Sequence, residues 1–194
     1  MSNPKDYPHP IPPHGGYREL QSYRMLEIVY DATVRFCDRF INKRSRTHDQ
    51  MVQAARSGMP NIAEGSMASC TSKKTELKLT GVARASLEEL LLDFQAFLRQ
   101  KGLRVWDKNS QEALAVRRKY QCDGSDMSDV SDEYSLKAAS SEVAANTLIC
   151  LINQASYLLG RQLQRLEQEF LDEGGFTERL YRVRTELRNG RQKN

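Results

Sequence analysis

The side chains of this 194-residue chain that are suited to chemistry do not fall into a catalytic or metal-binding pattern. Glu88, Glu89 and Asp93 are clustered carboxylates, and positions 89 and 93 share one face of a helix. Acid–base work on such a pair needs a histidine, a thiol nucleophile or a metal-ligand set beside it, and the neighbouring sequence supplies none. Of the three histidines, His9 and His14 lie in a Pro-rich tail, and His48 stands alone. Cys37, Cys70, Cys122 and Cys150 contain no C-x-x-C pair, so they read as free thiols, which inside helices behave as small hydrophobes. The Glu-x-x-His pairs of a di-iron bundle are absent, and residues 69–74 lack both the glycine and the spacing of a P-loop. The expectation is no catalytic residue, no metal and no cofactor, with the carboxylates as solvated surface.

Cations are arranged more suggestively. The net charge is only +4, but residues 174–194 hold six basic and two acidic side chains, an excess equal to that of the whole chain. Residues 123–133 hold five acidic side chains and no basic one. Lys43, Arg44 and Arg46, with His48, sit at the corner between the first two predicted helices, and Arg56 lies in the second. Lys73, Lys74 and Lys78 open the third, where the helix dipole and free N–H groups favour phosphate. Near the C-terminus Arg179 and Arg182 flank an apolar stripe on one side, and Arg184, Arg188 and Arg191 on the other. These residues are candidates for nucleic-acid phosphate contacts, which give salt-dependent affinity without reading sequence. The competing reading is an ordinary solubilising surface. Arg84 has two readings as well: lining a basic inner surface of an oligomer, or a structural ion pair with Glu64 or Glu88, of which the ion pair is favoured.

Those residues must be held by helices. Apolar spacing of three and four predicts a first helix over about 17–41, with Leu20, Tyr23, Leu26, Tyr30, Val34, Cys37 and Ile41 facing inward. Thr47 and Gln50 fit a capping box for the second helix, whose stripe is Met51, Ala54, Ala55, Ile62 and Ala63. Gly65 reads as its stop, and Pro60 beside Gly58 predicts a kink or local unwinding. Ser72 caps a third helix with its stripe at Leu77, Thr80, Ala83, Leu87, Leu90, Leu91, Phe94 and Leu98, ended by Gly102. Residues 103–140 form an insertion or crossover with a short helix at about 111–121 and Trp106 packing back on the core. A fourth long helix follows Ser140 or Ser141 and runs to Gly174, with Val143, Thr147, Leu148, Leu151, Ile152, Ala155, Leu158, Leu159, Leu166 and Phe170 inward. A suffix helix then carries Phe176, Leu180, Val183 and Leu187. It docks on its own core, packs against a neighbouring subunit or another protein, or lies on a polyanion; a membrane-surface role is the least favoured.

The expected organisation is a disordered tail over 1–16, an all-α antiparallel four-helix bundle over 17–173 with the 103–140 insertion before its last helix, and the suffix helix over 174–194. No run approaches the ~18–20 apolar residues that cross a bilayer, and the Pro-rich N-terminus has no apolar signal region. The expected location is the cytoplasm, with no membrane partner.

Residues 50–65, with Asn61-Ile62-Ala63-Glu64-Gly65 at their end, resemble the signature of a four-helix-bundle family encoded in 23S ribosomal RNA intervening sequences. That family includes the accessory variability determinant proteins of diversity-generating retroelements. Ser72-Lys73-Lys74, then Val82-Ala83-Arg84-Ala85-Ser86-Leu87 and Glu89-Leu90, resemble its third helix. The similarity covers about residues 17–173, with Asn61, Glu64, Gly65 and Arg84 as its structural signature. The tail beginning Gly174-Gly175-Phe176-Thr177 is similar to the extension of a subgroup with a four helix bundle suffix domain. The resemblance implies a homo-oligomer, commonly a ring-like pentamer, and in the retroelement branch binding to RNA or DNA and to a reverse transcriptase. The chain departs from that pattern in having Val52 and Gln53 where two basic residues are common, Arg56 at a usually apolar position, and its proline one place late. The expected function is a non-enzymatic, oligomeric nucleic-acid-binding accessory protein. The alternative is a protein–protein scaffold that uses the suffix helix or the acidic insertion.

Overall fold

A run of serines sets the helix boundaries. The chain leaves a short 3-10 turn, Tyr17–Glu19, and enters α1, Gln21–Phe40. The turn at Asn42 delivers Ser45 to the start of α2, Arg46–Ala68, where its hydroxyl accepts from the Thr47 N–H at 3.2 Å. The expected capping box at Thr47 and Gln50 is therefore displaced by an earlier serine, a better N-cap than threonine. Ser72 caps α3, Lys73–Gln100, accepting from the Thr75 N–H, and Gly102 closes it at φ +64°. α4 spans Gln111–Gln121. Ser140 caps α5, Ser141–Glu173, which ends at Gly174 with φ +74°, and α6 covers Phe176–Gln192.

The computed structural model describes residues 11, 15–121 and 138–192. Most of the 1–16 tail, with His9 and His14, lies outside them, as do Cys122, the acidic run 123–133 and Lys193. All regular structure among the described residues is helical.

α1 packs on α2 and α5, α3 packs on the same two helices, and α4 lies against α5. The core between them is aliphatic and aromatic, with Leu26, Met51, Ile62, Leu87, Leu148 and Ile152 fully buried. Phe36 stacks edge-on against Phe94 and Phe97 at 4.9 and 5.0 Å between centroids, a favoured aromatic geometry. Because α1 has two partners, its buried face is broad and centred on Met25, Leu26, Val29, Ala32, Thr33, Phe36 and Cys37. Leu20, Tyr23, Tyr30, Val34 and Ile41 flank it, half-buried, so the expected stripe was rotated toward one edge.

α2 runs unbroken through Pro60. The proline is exposed, so the Arg56 carbonyl it leaves without a helical donor faces the solvent side. Ala55, Gly58, Ile62 and Gly65 are buried on the opposite face and hold both halves of the helix to the core. The Asn61 side-chain amide also donates to the Ser57 carbonyl at 2.7 Å. Gly65 does not stop α2, which continues to Ala68; a Cβ there would lie 3.5 Å from the Glu76 backbone, so the residue lets α3 approach closely. Gly58 does the same for α1, since a Cβ would come within 2.7 Å of a Leu26 methyl.

α5 has 33 residues and spans about 50 Å, against about 30 Å for the 20 residues of α1. Its final turns run past the core. Leu166 is its last buried residue, and Phe170, expected to face inward, is exposed. The segment Ser141–Asn189 includes a window that is long and apolar enough to cross a membrane by length and composition, contrary to expectation. Half of that window is buried inside the fold.

Candidate functional site

The corner between α1 and α2 is a mixed-charge network. Lys43 Nζ lies 2.9 Å from Asp38 Oδ1, and half-buried His48 sits 3.5 Å from carboxylate oxygens of both Asp38 and Asp49. The Lys43 hydrogen bond, aided by His48, holds the Asp38 carboxyl below its ordinary range. Lys43 is thus engaged within the fold, whereas Arg44 and Arg46 are exposed beside it. Arg56 is exposed further along α2, and Lys74 and Lys78 on α3.

Lys73 differs from its neighbours. It is half-buried, with Nζ 3.1 Å from Glu169 Oε2 on α5 and 3.4 Å from Glu76 Oε2. Burial opposes its charge, but the Glu169 hydrogen bond and the two carboxylates outweigh that and raise its pKa. Arg165 meets the other Glu169 oxygen at 3.2 Å. At the α3 N-terminus the Ser72 hydroxyl accepts from the Thr75 N–H and so takes one of the free backbone donors there.

The structure nevertheless joins two basic groups that are about a hundred residues apart. Lys73, Arg179 and Arg182 line one cavity of about 320 Å³, together with Ser69, Cys70 and the Gly174-Gly175 turn. It forms because Gly174, at a positive φ that glycine readily adopts, ends α5 and lets α6 turn back toward the start of α3. Arg182 Nη2 donates to the Glu173 carbonyl at 2.8 Å, and the Glu178 carboxylate accepts from the Gly175 N–H. The backbone donors at the start of α6 are thus partly taken. Arg179 has no ion pair among the described residues, so its guanidinium is available to a phosphate. Arg184 and Arg188 are exposed on α6. The apolar suffix stripe is only half covered: Phe176, Val183 and Leu187 are half-buried and Leu180 is exposed.

The expected ion pair of Arg84 is not formed. Arg84, Glu64 and Glu88 are all exposed, and no salt bridge joins them among the described residues. The favoured reading fails because these side chains point to solvent, where a single exposed pair gains little. Asn61 and Gly65 act within the helix packing described above. Glu88 and Glu89 are exposed, as expected, and Asp93 is half-buried; Glu89 and Asp93 line a shallow groove between α2 and α3 with Arg46, Asp49 and Leu92. Burial, and then the Glu89 charge, raise the Asp93 pKa. No group of three or more His, Cys, Asp or Glu side chains is placed to hold a metal among the described residues.

Glu169, whose carboxylate pairs with Lys73 at this corner, was missed because nothing in the local sequence ties it to a residue 96 positions away. Comparison with protein families, with curated proteins and with solved structures found no match.

Proposed function

We propose that this chain is a non-enzymatic nucleic-acid-binding accessory protein that acts as a homo-oligomer. Its core is an antiparallel four-helix bundle of α1, α2, α3 and α5, with α4 in the crossover. The observation that carries this reading is the convergence of Lys73, Arg179 and Arg182 on one cavity. Exposed Lys74 and Lys78 on α3, and exposed Arg184 and Arg188 on α6, widen the cationic surface around that corner. Guanidinium groups suit phosphate because their planar forks donate two parallel hydrogen bonds. Such a surface takes phosphate backbones of any sequence, and each phosphate neutralised adds roughly one unit to the salt slope.

The test is binding of the full chain to duplex DNA and to structured RNA across a salt series. Affinity should fall steeply with salt, and Arg179→Gln with Arg182→Gln should weaken it and flatten the slope. No binding at low salt would end the proposal.

A second reading, a protein–protein scaffold, is favoured by exposed Leu171, Leu180 and Tyr181 at the α5–α6 end. Removing residues 174–194 separates the two. Loss of a protein partner with nucleic-acid affinity intact supports the scaffold, and the reverse supports the accessory protein.

A further inference from the structure

The crossover builds a second cavity, of about 450 Å³, between α4 and α5. That volume lies within the roughly 300–1,000 Å³ typical of small-molecule sites. Two aromatic side chains contribute walls. Trp106 is half-buried, its backbone fixed by an N–H donated to Asn146 Oδ1 at 2.8 Å, and Tyr157 stands at the mouth with its hydroxyl accepting from Arg161. Cations form another part: Lys108 is exposed, and Arg117 is anchored through Nε to the Ala113 carbonyl at 3.3 Å. Arg117 Nη2 is buried and has no hydrogen-bond partner among the described residues. A buried guanidinium donor left without an acceptor is costly, and a ligand oxygen removes that cost. Asn153 supplies an amide on the same lining; its N–H₂ is used on the Ile149 carbonyl, leaving its oxygen as an acceptor.

Among the described residues no carboxylate lines this cavity. The chemistry it fits is therefore an anion with a flat ring and a polar ring edge. A phosphate would meet Arg117 and Lys108, the ring would lie against Trp106 and Tyr157, and an amino group on its edge would meet Asn153. We propose that this pocket binds a nucleotide unit, as a free mononucleotide or as the unpaired terminal nucleotide of a single strand. Bases stack on aromatic side chains with little regard to sequence because every base has a π-face.

Trp106 is the only tryptophan of the chain, so its emission reports on this pocket alone. The full chain is titrated with adenosine monophosphate, with adenosine, with inorganic phosphate and with a 5′-phosphorylated single-stranded hexanucleotide. A saturable change in Trp106 emission is expected with the monophosphate, half-complete below about 1 mM. Adenosine and inorganic phosphate should each bind at least about tenfold more weakly, since each lacks half of the recognised chemistry. Stronger binding of the hexanucleotide assigns the pocket to strand ends, and stronger binding of the monophosphate assigns it to a free nucleotide. Arg117→Gln should remove the advantage of the monophosphate over adenosine while leaving the helical circular dichroism unchanged.

If that variant unfolds, alkylation of Cys150 in the unmodified chain is the second readout, because Cys150 lines the same cavity. The monophosphate should slow Cys150 alkylation, whereas Cys70, which lines the suffix cavity, reports separately on that site. No saturable emission change with either the monophosphate or the hexanucleotide overturns the proposal. So does an equal response in the folded Arg117→Gln variant, or, where that variant unfolds, no protection of Cys150. Neither Lys73, Arg179 nor Arg182 lines this pocket, so polynucleotide binding at the suffix corner stands or falls separately.

Discussion

Glu76 shows how a residue near a cationic corner can work against stability. It is 8% exposed, and burial raises its pKa despite the opposing Lys73 charge. A carboxyl with a raised folded pKa favours folding below its ordinary value of 4.5, and that contribution is lost as pH rises through the folded value. Glu76→Gln is neutral at every pH, so its urea midpoint should gain on the unmodified chain between pH 4 and pH 7.5. An unchanged difference between the two pH values would refute this. Gly58 makes a steric case of the same kind. An added methyl would sit 2.7 Å from one Leu26 methyl and 3.3 Å from the other, and Leu26 is fully buried. Overpacking of about 1–3 kcal/mol should outweigh the gain of about 1 kcal/mol in helix propensity, so Gly58→Ala should lower stability in chemical denaturation. A higher denaturation midpoint would mean that Leu26 repacks freely. Neither effect was legible in the sequence. Gly58 read only as part of a kink beside Pro60 and no signal marked Glu76, because what decides both is a neighbouring helix that no local pattern records.

Elements were readable wherever one local signal sets a boundary. Ser72, Ser140, Gly102 and Gly174 mark ends that the structure keeps, and α4 falls where its spacing placed it. Where two signals compete or two partners share a face, the reading slipped. Ser45 overrode Thr47 as the cap of α2, and the burial of α1 against both α2 and α5 turned its stripe away from the tyrosines. The crossover is tied down by one buried amide. Asn146 is 1% exposed, donates to the Arg104 and Glu142 carbonyls at 2.8 and 2.9 Å, and accepts from the Trp106 N–H. Removing it strands the Trp106 N–H and the Arg104 carbonyl together, while the Glu142 carbonyl keeps its helical donor. Asn146→Ala should cost about 2–3 kcal/mol in chemical denaturation. It should also shift Trp106 emission to longer wavelength as the segment loosens, and an unshifted spectrum would mean that apolar packing alone holds Trp106 in place.

The whole molecule leaves one end unfinished. α5 outruns the core, and beyond Leu166 the chain exposes Leu171, Leu180 and Tyr181, the last at 74%. Scattered single hydrophobes are normal on a surface, but three within eleven residues at one end, flanked by arginines, form a surface suited to a further partner. Sequence spacing foresaw the suffix stripe and its arginines. The return of α6 toward Lys73 was not legible, because it depends on the angle taken at the Gly174-Gly175 turn. If this end joins copies of the chain, light scattering should give a mass above that of one 22.2 kDa subunit. Leu180→Glu with Tyr181→Glu should return the mass to a single subunit. Both side chains are exposed, so the thermal transition of the core should move by no more than about 2 °C, as expected for surface changes within about 0.5 kcal/mol. If the assembly keeps its mass in this variant, α6 is not the contact, and the exposed face of α3 at Val82 and Leu92 becomes the surface to change next. Nucleic-acid affinity measured on the same variant then separates the two roles of the suffix. Unchanged affinity per subunit places phosphate binding on the arginines of one chain, whereas a loss that follows the mass shows that several corners must act together.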